Sequence, residues 1–217
     1  MKKMNWQEGI ILILAIAPLI FVISLYQQLP LEIPIHWNMN GEIDGYGPRW
    51  MQLMFAGIGL GVYGLMFVVP KIDPKGSNIA KFATKYQALR LAMQVFFAAL
   101  IVLTTFVSLG VALDVDMMIR AGVSLLLVFI GNYLGKMKQN YTIGIKTPWT
   151  LANTEVWNRT HRMAGHLWVG LGTIMFVSAF FSGALSSTIF VSCIFIMVIV
   201  PMIYSYVLYK KLPSDNE

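Results

Sequence analysis

The sequence predicts an all-α fold: a polytopic bundle of six transmembrane helices with a short extracellular loop or hairpin and a cytoplasmic amphipathic helical segment. Three observations carry this reading. Of 217 residues, 57% are hydrophobic and 12% charged, with a mean hydropathy of +0.67, a composition of membrane proteins rather than soluble domains. Apolar runs recur at close to the roughly 20 residues a helix needs to cross a bilayer. Fourteen of the sixteen Lys and Arg residues fall on one set of alternate connections, leaving Arg49 and Arg120 on the other. Cytoplasmic loops carry the Lys and Arg excess, so both termini and the segment 136–166 are expected inside and the loop 27–50 outside. The expected location is the cell membrane, multi-pass. Topology thus accounts for the net charge of +6, and no basic patch interleaved with aromatics points to direct nucleic-acid binding.

Taken in order, the basic start Met1-Lys2-Lys3 precedes the apolar run Gly9–Tyr26. No small-x-small cleavage pattern follows it, so it reads as a retained span. Pro18 and Ser24 suggest a kink, with Ser24 re-satisfying the carbonyl that proline frees. Residues 27–50 are rich in turn formers, and Asn40-Gly41 between Ile33–Trp37 and Glu42–Asp44 predicts a short hairpin. Its Trp37, Tyr46 and Trp50 read either as interfacial anchors or as part of a ligand-sensing surface.

The second span, Met51–Pro70, has Gly57 and Gly61 on one face, as for close helix packing. A basic connection with Lys71, Lys75, Lys81, Lys85 and Arg90 follows around Asp73-Pro74. The third span covers about Ala88–Leu113, with Gln94 as its deep polar group. The fourth is Met117–Leu134, with Arg120 expected to snorkel and Asn132 to bond across helices. The fifth and sixth, Leu167–Gly183 and Ala184–Tyr209, are joined by a tight turn. The expected domains are 1–70, two spans with the loop 27–50, and 71–217, four spans with the segment 136–166.

That segment is long, polar and aromatic in a chain with little room for such sequence. Asn153 is a helix N-cap with Glu155 in the first turn. Val156, Trp157, Thr160, Met163, Ala164, Leu167 and Trp168 recur at helical spacing, opposite a stripe of Glu155, Arg159, Arg162 and His166. An interfacial helix running into a span is the expectation, with Glu155 and Arg159 paired at i, i+4.

Catalysis finds little support. His36 lies outside while His161 and His166 lie inside, roughly 140° apart on a helix and so unsuited to shared zinc ligation. The single cysteine, Cys193, sits in an apolar run and permits neither an intrachain disulfide nor a cysteine cluster. No cofactor or metal is expected, and the chain is read as a non-enzyme. A small transporter or permease-like protein is the alternative, weakened by the lack of ionisable groups at mid-span.

The run NYTIGIKTPWTL followed by VWNRTHRMAGH resembles the C-terminal signature of the SdpI family of bacterial membrane immunity proteins. LPLEIPIHWNMNGEIDGYG at 29–47 is similar to the N-terminal domain of unknown function that often precedes it. The resemblance implies immunity to a secreted antimicrobial peptide, and signalling by holding a small helix-turn-helix repressor at the membrane. The signature falls on Asn140, Gly144, Lys146, Thr147, Pro148, Trp149, Thr150, Trp157, Thr160, His161, Arg162 and Gly165, a cytoplasmic surface that reads either as a partner-docking face or as a structural interfacial helix joining the fourth and fifth spans. The outer sensing loop would use Pro34, His36, Trp37, Gly41, Asp44 and Gly45. The lipid bilayer, the toxin and the repressor are the implied partners.

Overall fold

The structure, a computed structural model, describes residues 6–38, 41–181 and 183–212. Eight α-helices and one hairpin are formed by them. Helix α1 (Trp6–Leu25) leads through a 3-10 turn into strands β1 (Glu32–Trp37) and β2 (Ile43–Pro48). Helix α2 (Trp50–Ile72) is followed by the short α3 (Gly76–Ala80), then α4 (Ala83–Ser108) and α5 (Val115–Leu134). The short α6 (Pro148–Ala152) precedes α7 (Thr154–Ser178) and α8 (Ala184–Lys211). Five helices, α1, α2, α4, α5 and α8, are long and apolar enough to cross a membrane. Large apolar side chains such as Ile13, Ile20, Leu65, Phe195 and Ile203 point outward from them, as lipid-facing surfaces require.

The chain divides into two compact units that do not follow chain order: residues 1–67 with 90–119, and 68–89 with 120–217. In the first, Val22, Ala56 and Ile101 form a core with Leu19, Phe21, Leu53 and Phe55 against it. Gln52 Nε2 donates to the hydroxyls of Thr104 and Thr105 at 2.9 and 2.8 Å. Gln94 Nε2 donates to the Gly59 carbonyl at 3.1 Å. Gly59 faces Gln94 and Phe97 of α4, whereas Gly57 and Gly61 face open space, which corrects the packing face expected from their spacing. Arg90 makes two 2.7 Å hydrogen bonds to the carboxylate of Glu8. Tyr63 donates to the same carboxylate at 2.9 Å. This ion pair lies in the early turns of α1 and α4.

In the second unit α7 runs antiparallel along α5. A Cβ on Gly135 would lie 3.4 Å from Arg162 Cα. One on Gly165 would lie 2.9 Å from the Gly131 carbonyl, and one on Gly172 would lie 2.7 Å from Val128. Contacts therefore advance along α7 as they retreat along α5, and the glycines bring the two backbones together. At the far end Ser186 donates to the Ser178 carbonyl while Arg120 donates to the Ser186 hydroxyl. Arg120 is buried, so it does not snorkel as expected: it ties α5 to the α7–α8 turn. On the other face of α7, Met175, Cys193 and Met197 form a core with α8, and the Trp168 ring N–H donates to the Met197 carbonyl at 3.1 Å.

Two further local expectations fail for one reason: a polar side chain in an apolar helix satisfies itself on its own backbone first. Asn132 donates to the Val128 carbonyl rather than to a neighbouring helix. Ser24 donates to the Phe21 carbonyl, not to the one Pro18 frees. Pro18 itself lies inside α1 and is buried.

Candidate functional site

Two polar regions contain the residues singled out by sequence. The hairpin pairs β1 with β2 antiparallel, from Glu32 opposite Pro48 to Trp37 opposite Ile43, with irregular register around His36. His36 Nδ1 lies 2.5 Å from the Asp44 carboxylate, and both side chains are exposed. Gly45 stands against His36, where a Cβ would come within 2.9 Å of the histidine's own. Gly41 has φ of 79°, and its Cα faces Asp116 so closely that a Cβ would lie 2.7 Å from the aspartate Cβ. Both features demand glycine. Pro34 is buried and Trp37 half-buried. Asn40, the first residue of the expected turn, lies outside the described residues.

The segment 136–166 is built differently. Its centre is His161 on α7, fully buried. The ring stacks on Trp157 with centroids 4.0 Å apart. Nδ1 lies 2.8 Å from the Trp157 carbonyl, and Nε2 accepts the Ile145 N–H at 2.9 Å. A carbonyl only accepts and an N–H only donates, so the imidazole is the neutral tautomer with its proton on Nδ1. Burial holds its pKa down at about 4, with the hydrogen bond to the Trp157 carbonyl working in the opposite sense. Gly144 has φ of 115° and passes so close over the ring that a Cβ would sit 2.5 Å from Nε2, so only glycine fits.

The rest of the loop hangs on buried polar side chains. Asn140 Oδ1 accepts the N–H groups of Thr142 and Ile143, while its Nδ2 donates to the carbonyls of Lys138 and Ile143. Thr147 caps α6 in a reciprocal box with Thr150, and its hydroxyl pairs with Ser205 of α8 at 3.0 Å. Asn153 caps α7 as expected by accepting the Val156 N–H at 2.9 Å. The Trp157 ring N–H donates to the Met137 carbonyl at 2.9 Å.

Two hubs were not singled out from the sequence. Asp73 is buried and accepts from the Tyr141 N–H, the Thr142 hydroxyl and the Lys75 N–H. Gln139 accepts from Lys75 Nζ and the Thr154 hydroxyl and donates to the carbonyls of Thr150 and Leu151. One clue was available: Asp73 is a lone carboxylate in a connection otherwise strongly basic.

Of the signature residues, Asn140, Thr147, Thr150, Trp157, Thr160, His161 and Gly165 are buried. Gly144 and Trp149 are half-buried, the latter beside Tyr206 with ring centroids 5.0 Å apart. Lys146, Pro148 and Arg162 are exposed. Glu155 and Arg159 form the expected exposed ion pair at 2.5 Å. Among the described residues, no group of three or more His, Cys, Asp or Glu is placed to hold a metal.

The SdpI/YfhL protein family profile matches residues 136–205, the stretch that holds this buried network, and a domain of unknown function, DUF1648, matches residues 13–60. The chain is 31% identical over 194 residues to the immunity protein SdpI of Bacillus subtilis (strain 168), covering 89% of this chain and 91% of that one. The chain belongs to the SdpI family. No solved structure matches it. The SdpI signature, placed in three dimensions, is mostly an internal scaffold that fixes the path of 136–153 over the start of α7, with Lys146, Pro148 and Arg162 as its exposed members.

Proposed function

We propose that this chain is a cell-membrane immunity protein that protects against a secreted antimicrobial peptide. Its likeness to an immunity protein over nearly the whole length of both chains carries the reading. In this proposal six helices cross the bilayer, with α7 as the sixth crossing. The apolar part of α7 is short, but α7 accompanies α5, itself a candidate span, from Gly135 to Ser124 and ends level with Arg120. Six crossings and the Lys and Arg bias put both termini in the cytoplasm. The hairpin, with His36, Trp37, Asp44 and the glycines that shape it, would then face outward to the toxin. The 136–166 surface, with Lys146, Pro148 and Arg162, would face a small helix-turn-helix repressor inside. The ordered backbone of this segment supports a rigid surface, since docking on preformed geometry avoids an ordering cost.

Expression in a toxin-sensitive bacterium tests the role: survival should rise while the peptide in the medium stays intact. Protection that depends on peptide cleavage by the purified protein would overturn it. Orientation is read in a Cys193→Ser background, where Tyr46→Cys should react with an impermeant thiol reagent in intact cells and Lys146→Cys should not.

A further inference from the structure

Between the end of α5 and the first turns of α7 lies an open cleft of about 660 Å3, lined by Gly135, Lys138, Asn158, Arg159, Arg162 and His166 among others. A hollow of about 250 Å3 shares Gly135, Arg162 and His166 with it and continues along Gly131, Gly165 and Val169. Lys136, Lys138, Arg159 and Arg162 all line one or both. The carboxylate present, Glu155, is engaged by Arg159, and the Lys136 ammonium lies over the Tyr133 ring at 5.3 Å. Among the described residues, the side-chain nitrogens of Lys138 and Arg162 have no hydrogen-bond or ion-pair partner. Cations gathered in one concavity repel each other, and a bound anion relieves that repulsion.

The floor decides which anion. Below the cationic mouth the hollow runs beside the close α5–α7 contact at Gly131 and Gly165 and reaches Val169, toward the apolar part of α7. An acidic peptide would use only the mouth. A phospholipid uses both parts, with phosphate among the cations and glycerol and acyl carbons along the seam, and basic pockets between transmembrane helices suit such headgroups. We propose that this cleft binds an anionic phospholipid, with Lys138 and Arg162 holding its phosphate and the hollow beside Gly131 and Gly165 receiving the start of its chains. The inference stands independently of the immunity reading.

The test uses the full-length protein purified in detergent, with native mass spectrometry to compare retention of phosphatidylglycerol and phosphatidylcholine. Phosphatidylglycerol should be preferred, and Lys138→Gln with Arg162→Gln should cut that preference roughly tenfold or more. Lys210→Gln with Lys211→Gln removes the same charge elsewhere and should leave it unchanged. Equal loss from both pairs, no headgroup preference, or displacement of the lipid by soluble polyglutamate would each overturn the proposal. In wild-type protein, phosphatidylglycerol carrying a photoreactive group near its phosphate should cross-link within 131–138 or 158–169. Cross-links confined to other segments would also overturn it.

Discussion

His36 and His161 are the same side chain in two polar, aromatic stretches, and each has a partner within 2.8 Å. The first leaves 70% of its side chain exposed and pairs with a carboxylate across a hairpin. The second is wholly buried and holds the backbone of a passing loop. Turn formers, aromatics and polar residues at an expected membrane boundary therefore specify two different constructions. In the hairpin the backbone pairs with itself, and its polar side chains pair with one another at the exposed surface. In the 136–166 segment, which has no sheet and only the short α6 before α7, the backbone is satisfied by buried side chains, as buried peptide groups must be.

Trp157 holds the buried construction at its centre. Trp157→Ala should cost about 3–5 kcal/mol, because it removes a fully buried ring, exposes one face of His161 and orphans the Met137 carbonyl. Loss of folded protein on size-exclusion chromatography is the expected outcome, and a variant that accumulates and melts like the parent would show the network to be dispensable. Thr160→Ala with His161→Ala should fail in the same assay, as both side chains are buried.

Acidity gives the next largest effect. The folded His161 stays neutral down to about 4, while the unfolded imidazole protonates near 6.5. As pH falls the unfolded state binds the proton first, so the contribution is complete above 6.5, is lost between about 6.5 and 4, and is flat below that. Its size is on the order of 3 kcal/mol. Thermal unfolding of wild type and His161→Gln should show a stability gap that narrows over this window. A gap independent of pH would mean the histidine is not buried and neutral.

The hairpin should tolerate loss of its polar pair. His36→Ala with Asp44→Ala removes an exposed pair, for which roughly 0–1 kcal/mol is typical. The melting temperature should hardly move, while survival against toxin should fall if this face senses it. A large drop in stability would make the two regions alike after all.

What could be read from sequence follows from what hydropathy and spacing encode. Five spans and the hairpin are visible because runs of apolar residues and alternating strand signals are local, and Asn153 is visible as a cap for the same reason. Spacing places residues on a face without saying what that face meets. Gly57 and Gly61 looked like a packing surface and meet open space, while Gly131, Gly165 and Gly172, scattered over two helices, bring the α5 and α7 backbones together. Arg120 and Asp73 were hidden likewise: their partners at Ser186 and at Tyr141 and Thr142 lie more than sixty residues away.

Those long separations bear on how the chain is made. Asp73, Lys75 and Asn78 belong to the connection between the second and third apolar helices, yet their partners lie between Gln139 and Thr142. A nascent chain emerges from its amino end, and closing a loop of sixty to seventy residues comes late compared with local helix formation. The first half of this protein therefore waits in the bilayer with an unfinished connection, its aspartate among lysines, until residues 139–142 leave the ribosome and complete it.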